Sequence, residues 1–310
     1  MKKRENMSLI TVFTPLFNRR ESLKRTYRSL CNQTSKNFVW LIIDDGSTDN
    51  PYSLIKQWQE TDNGFDIQYV YKSNGGMHTA HNVAYEHITT ELNVCIDSDD
   101  YMPNNAIELI ESCWLSIDDK TKYAGIIALD YADSTKEIIG QYLPFDKDCT
   151  TLSGYYRNGG QGDKKLIYRT EIIKRTPPYP VYEGEKFVAL AYKYRIIDET
   201  YELKILNENV CFVEYQLDGS TANMYRQYVN NPKGFAFWRK FQMTEKGATL
   251  KEKLKACVHY VSSSMISKNK KYVKESPLKA MTVFATPFGI ALYWFILFKS
   301  KKSYMRINGK

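Results

Sequence analysis

The chain has 310 residues, 43% apolar and 25% charged, the proportions of an ordinary globular protein of one large domain or two modest ones. Its formal charge of +8 suggests a nucleic-acid partner, but the distribution excludes one. Ten Lys and Arg against one Glu lie between Lys268 and Lys310, which leaves 33 basic and 34 acidic residues elsewhere.

Six scattered cysteines without a CxxC pair point to a reducing environment, and residues 1–5 lack the apolar core of a signal peptide. Residues 9–14 form a first buried strand. Asn18 and Glu21 have capping-box spacing, and Leu23, Tyr27, Leu30 and Cys31 recur on one helical face. A second strand, residues 39–43, runs into Asp44-Asp45-Gly46-Ser47. Asn50 and Pro51 open a helix bearing Leu54, Ile55 and Trp58, and a third strand follows at 67–71. After the turn Asn74-Gly75-Gly76 comes a helix with Ala80, Val83, Ala84 and Ile88 inward. A fourth strand at 92–96 ends in Asp97-Ser98-Asp99-Asp100.

A helix at 103–117, a strand at 124–129 and a loose stretch to about Asp163 precede a strand at 165–169. After Pro177, Pro178 and Pro180, Glu183-Gly184-Glu185 opens a helix carrying Phe187, Leu190, Ala191 and Tyr194. Residues 201–206 and 210–215 are expected to pair as a hairpin, and the remainder is helical. The fourfold strand–helix alternation at the start predicts an open, mostly parallel sheet with helices on both faces, and such sheets bind ligands at the carboxyl ends of their strands. Both acidic clusters sit at such ends. GxxxxGK[ST] is absent, and Gly160-x-Gly162 has Lys165 where a dinucleotide fingerprint needs glycine, so something else must hold any diphosphate.

Asp97, Asp99 and Asp100 are hard oxygen ligands of the kind that hold Mg²⁺ or Mn²⁺ through one or two carboxylates, waters and substrate phosphates. The competing interpretation is an acidic turn before the helix near Pro103. His78 and His81 have no Cys or acidic neighbour in sequence to complete a zinc site.

Five segments, in order, resemble family 2 glycosyltransferases. They are Thr14-Pro15-Leu16-Phe17-Asn18, Ile42-Ile43-Asp44-Asp45-Gly46-Ser47-Thr48-Asp49, Asn74-Gly75-Gly76-Met77-His78-Thr79-Ala80-His81-Asn82, Asp97-Ser98-Asp99-Asp100 and Glu183-Gly184-Glu185-Lys186-Phe187. The resemblance implies the GT-A fold, a Rossmann-like α/β sheet, and transfer with inversion from a nucleotide-sugar donor, UDP-linked. It places Pro15 and Phe17 at the donor base, with Phe17 stacked on uracil and Asp45 or Asp44 at the base edge. Asn74, Gly75 and Gly76 approach the donor, Asp97 lies near the ribose, and Asp99 sits on the bridging Mn²⁺ or Mg²⁺. The family's catalytic base is commonly in a Glu-Asp pair; here Gly184-Glu185 stands in its place, so Glu185 is the candidate and Glu183 the fallback. Met77 replaces a lysine found in similar segments, a charge that His78 or Lys72 could supply. Gln227 is followed by Tyr228-Val229-Asn230-Asn231 rather than the Gln-x-x-Arg-Trp of processive synthases, so one sugar is expected per encounter. Tyr155, Tyr156, Tyr179 and Tyr182 are candidate acceptor-stacking faces or packing residues.

This organisation divides the chain into a nucleotide-sugar half (1–102), an acceptor half (103–225) and a helical C-terminal region (226–310) with a membrane-associating segment at 277–299. The expected acceptor is a lipid-linked or polymeric glycan in cell-surface polysaccharide synthesis. Residues 280–298 carry no charge, yet Pro287 and Gly289 interrupt them and basic residues flank both sides. An interfacial or re-entrant hairpin bent at the proline, on the cytoplasmic face of an anionic membrane, is expected ahead of a single span or a buried core helix. The alternatives are an inactive membrane scaffold of the same fold and a sugar-1-phosphate nucleotidyltransferase. The second lacks its glycine-rich loop at residues 9–20.

Overall fold

The computed structural model describes residues 8–214 and 224–308, without the side chains of 302–308. Residues 1–5 and Tyr215, which entered the sequence analysis, lie outside the described residues. The chain forms two compact units, one of residues 8–178 and 193–214, the other of residues 179–192 and 224–308.

The first begins β1 (Ile10–Leu16), α1 (Arg20–Cys31), β2 (Phe38–Asp44), α2 (Tyr52–Gln59), β3 (Asp66–Tyr71), α3 (Met77–His87), β4 (Leu92–Cys95) and α4 (Ala106–Leu115). It continues through β5 (Tyr123–Ala132), β6 (Cys149–Thr150), α5 (Leu152–Arg157), β7 (Lys164–Arg169), α6 (Thr170–Arg175), α7 (Ala191–Ile197, which starts at the boundary between the units) and β8 (Glu202–Val213). One sheet of eight strands results, in the order β3-β2-β1-β4-β7-β5-β8-β6. β6 and β7 run against the other six, so the sheet is mixed but mostly parallel. Central strands of such sheets are buried on both faces and read as unbroken apolar runs. β1 is buried at every position, and Trp40 of β2 stacks near Trp58 of α2 with Tyr27 of α1 against it.

Three local expectations are corrected. The Asn18 capping box does not form: Asn18 takes a positive φ of 51° and its side chain accepts from the Thr48 N–H. Asp49 caps α1 instead, accepting from the Arg20 N–H at 2.9 Å. The hairpin at 201–215 is a single strand, β8, interrupted where the register on β5 jumps from Leu206 to Asn209. Asn207, which sequence makes look like a turn residue, fills the bulge by bonding both the N–H and the C=O of Leu143. The loose stretch contains β6 and α5, whose shortness leaves no periodic signal, and α6 follows β7 directly.

Gly125 of β5 has φ +150°, and a Cβ there would lie 1.9 Å from the Ile167 carbonyl oxygen. Gly125→Ala must strain the backbone and push β7 away from β5. A stability loss of about 3 kcal/mol is expected, measurable as a fall in the urea midpoint.

The second unit adds α8 (Met224–Asn230), α9 (Pro232–Thr244), α10 (Leu250–Ile266), α11 (Tyr272–Glu275) and α12 (Lys279–Asn308). Thr249 and Glu252 close a capping box at the start of α10. α12 corrects the proline-hairpin expectation, because it continues as one helix with Pro287 inside it. A proline deletes one main-chain bond without forbidding continuation, and packing on α10 holds the helix through it. Thr282, Ala285 and Ile296 are buried, and a Cβ on Gly289 would meet Val261 at 2.4 Å. The opposite face leaves Phe284, Phe288, Trp294 and Phe298 each more than half exposed.

Candidate active site

The carboxyl ends of β3, β2, β1 and β4 lie side by side, and they bring together the predicted donor residues Pro15, Phe17, Asp44, Asp45, Asn74, Gly75, Gly76, Asp97 and Asp99. Pro15 is a buried member of β1, and Phe17, just beyond it, is 46% exposed. Asn18 and Ser47 clip the loops after β1 and β2 together: the Asn18 N–H donates to Ser47 Oγ at 3.0 Å.

Asp44 and Asp45 are both buried, and both are engaged. Asp44 accepts from the Tyr69 hydroxyl at 2.7 Å and the Ser47 N–H at 2.8 Å. Asp45 accepts four bonds: Lys72 Nζ and the Gly75 N–H on Oδ1, the Asn74 side-chain amide and the Gly76 N–H on Oδ2. Four bonds fill the capacity of a carboxylate. Asp45 thus holds the glycine turn in shape, and Gly76, at φ +92°, supplies the backbone conformation that lets its N–H point at that carboxylate. Lys72 is committed to this turn as well, since it also donates to Ser73 O and Thr79 Oγ1.

His78 and His81 enter the first turn of α3 buried. Burial holds His78 down at about 4 and His81 at about 3, so both are neutral. His81 meets the Tyr85 hydroxyl at 3.1 Å, while both ring nitrogens of His78 lack a partner among the described residues.

The turn after β4 is gripped from outside. Arg25 of α1 donates to the Asp99 carbonyl, to Glu214 and, at 2.8 Å, to Asp133, with Tyr101 beneath its guanidinium. Thr26 Oγ1 donates to the Asp100 carbonyl at 2.8 Å, and the Glu214 N–H reaches Asp100 Oδ1 at 3.1 Å. Asp97 and Asp99 are different. Both are half-buried; the Asp99 carboxylate is reached by its own main-chain N–H, and Asp97 by the Cys95 thiol at 3.6 Å. Desolvation and the neighbouring Asp97 raise the Asp99 pKa, with its own N–H and the charge of Arg19 opposing them. No group of three His, Cys, Asp or Glu side chains able to hold a metal occurs among the described residues. The residues present therefore fit an ion held by one or two carboxylates and completed by substrate oxygens and water, not a closed protein cage.

Sequence reasoning missed a buried cation behind this turn. Lys165 of β7 lies 3.6 Å from Asp130 of β5, and it also acts electrostatically on Asp97 and Asp100. Burial pushes Asp100 up to about 7 and Asp130 to about 6, with Lys165 opposing both shifts. The available signal was weak, because β7 carries Lys164 and Arg169 as well as Lys165.

Glu185 belongs to the second unit, where the helix expected to open at 183–185 does not form; helix begins only at Ala191. Glu185 instead docks, from outside any helix, on the N-terminus of α9. Its two oxygens accept from the N–H groups of Lys233 (3.0 Å) and Gly234 (2.9 Å) at the start of α9, and the Lys186 N–H donates to Asn231 Oδ1. The tertiary partner took the carboxylate that local pattern assigned to a local cap. Glu183, two residues earlier, is exposed. Of the four tyrosines considered as stacking faces, Tyr155 and Tyr179 are buried, with hydroxyls donating to main-chain carbonyls; Tyr156 and Tyr182 keep part of their surface exposed.

Residues 11–111 match the family model described as Glycosyl transferase family 2. A stretch of 101 residues is 30% identical to glycosyltransferase GlyA of Streptococcus pneumoniae serotype 4, covering 33% of this chain and 14% of that protein. Among solved structures, S. aureus TarS 1-349 in complex with UDP-GlcNAc superposes with a TM-score of 0.56 at 15% identity, over 96% of this chain and 91% of that one. Mannosyltransferase PcManGT from Pyrobaculum calidifontis, in complex with GDP-Man and Mn²⁺, gives 0.54 at 17% identity, over 94% and 83%. At these identities the structural likeness speaks for the fold.

Proposed function

We propose that this chain is a glycosyltransferase of family 2, whose model matches residues 11–111, and that it moves one sugar, with inversion, from a UDP-linked donor to a hydroxyl of a lipid-linked or polymeric glycan in cell-surface polysaccharide synthesis. The observation that carries this is the pair Asp97 and Asp99: on a turn gripped through the Asp99 and Asp100 carbonyls and the Asp100 carboxylate, these two carboxylates keep room to accept a ligand. Phe17 offers its exposed ring to the base, Asp97 faces the ribose, and Asp99 takes a Mn²⁺ or Mg²⁺ ion. That cation, when bound, neutralises the departing diphosphate. In support, TarS has been solved in complex with UDP-GlcNAc, and PcManGT in complex with GDP-Man and Mn²⁺. Glu185 takes the acceptor proton as the acceptor oxygen bonds to the anomeric carbon and the nucleoside diphosphate leaves with the electron pair of the broken bond. Titrating nucleotide sugars into the full chain with and without Mn²⁺ tests this. Metal-dependent binding of a UDP-sugar is expected, and no binding of any nucleotide sugar would overturn it.

We infer also that the C-terminal region attaches the enzyme to the cytoplasmic face of an anionic membrane, where cytosolic sugar nucleotides reach it. Residues Lys279–Lys301 are long and apolar enough to cross a bilayer, but the burial of one face on α10 supports a helix lying in the interface. Its aromatic outer face would enter the acyl boundary, with Lys279, Lys299 and Lys301 at the headgroups. Deleting α12 would uncover α10, so the cleaner test replaces Phe284, Phe288, Trp294 and Phe298 together with serine. Each large apolar side chain buried is worth about 1.5–3 kcal/mol, so a loss of vesicle affinity above about tenfold is expected with the fold intact. Unchanged co-sedimentation with phosphatidylglycerol vesicles would defeat it.

A further inference from the structure

The second unit contains a cavity of about 240 Å³ lined by Tyr182, Lys233, Ala236, Phe237, Lys240, Tyr260, Ser267, Asn269 and Glu275. Two of its lining residues are bonded to Glu185 through the main chain: Tyr182 O accepts from the Glu185 N–H, and the Lys233 N–H donates to the Glu185 carboxylate. Lys233 and Lys240 are seven residues apart on α9, two helical turns on one face. Neither ammonium has a hydrogen-bond or ion-pair partner among the described residues. Glu275, the one carboxylate in the lining, already accepts from the Asn269 amide at 2.9 Å. The lining therefore carries two lysines against one carboxylate, a net positive charge, and Tyr182 and Phe237 add aromatic surface beside them.

We propose that this cavity is an acceptor subsite for a phosphate-bearing glycan, in which Lys233 and Lys240 hold the phosphate and the aromatic rings hold the adjoining sugar or polyol. The proposal rests on the transferase function given above and names the class of its acceptor. Lysine binds phosphate as a compact, mobile point charge, and a pair on one helix face suits a group whose charge is spread over several oxygens. Aromatic faces meet the C–H surface of a sugar without demanding a particular hydroxyl pattern. A ligand so held lies next to the carboxylate assigned to take the acceptor proton. The phosphate could belong to a glycan chain or to a lipid headgroup, and the two sources separate by experiment.

The test uses the full chain saturated with UDP and Mn²⁺, so that the donor site is filled, and titrates glycerol 1-phosphate, with glycerol as the neutral control. Binding of the phosphate but not of glycerol is expected. The double variant Lys233→Met/Lys240→Met, which keeps the aliphatic stems, should weaken it at least tenfold, and Lys233→Arg/Lys240→Arg should restore it. No phosphate binding by the wild type, or equal binding by the methionine variant, overturns the proposal. Phosphatidylglycerol vesicles form the second arm: their binding should survive the methionine substitutions, and its loss with glycerol 1-phosphate binding unchanged would reassign the lysines to the membrane. Failure of UDP to bind in the same samples would count against the transferase function itself, so the two failures are distinguishable.

Discussion

Glutamine in place of Glu185 is expected to leave donor binding intact and to lower transfer by about two to four orders of magnitude, the range of a lost general base. The carboxylate is held by two main-chain N–H groups, one on each oxygen, so each oxygen keeps a lone pair and the anion has a fixed direction. An amide cannot take the proton. It also turns an NH₂ towards one of those N–H groups, leaving a buried donor unpaired at a cost of about 1–3 kcal/mol. Stability and rate must therefore be measured on the same protein. A lowered melting temperature with the rate preserved would make Glu185 a helix cap only, and a matching loss of rate in Glu183→Gln would move the base to the exposed neighbour.

Asp99→Ala is expected to remove the metal dependence of nucleotide binding. In wild type, UDP affinity should rise on adding Mn²⁺; in the variant it should stay at the metal-free value. Losing an outer-shell partner of a metal typically costs about 10–100-fold in affinity, and loss of the protein's direct ligand should exceed that. The backbone of the turn should survive, since Arg25 and Thr26 hold its carbonyls and not the Asp99 carboxylate. Equal affinities of both proteins with and without Mn²⁺ would refute the assignment.

The parallel half of the sheet was legible because each strand is a short β-branched run followed by a helix-period segment, and the donor residues came with it, lying at strand ends. What sequence could not give was the identity of long-range partners. Asp45 reads as a free acidic residue until the glycine turn 30 residues later is seen folded onto it. Glu185 reads as a local helix start, and its donors lie 48 and 49 residues away. Asn207 reads as a turn between two strands, yet it serves a bulge within one. The antiparallel β7 places Lys165 beside three acids from two other segments, a neighbourhood that no spacing along the chain encodes.

Residues 179–192 depart from the first unit and complete the second, whose other members come from residues 224–308. This has a consequence for biosynthesis. As the chain leaves the ribosome, the residues of the donor pocket are all present once β8 has emerged, but Glu185 then has neither Lys233 nor Gly234 to hold it. The carboxylate acquires its fixed direction only after α9 has been made. Under the proposed function, a nascent chain would hold a nucleotide sugar before its base is fixed, and transfer would wait for the finished chain.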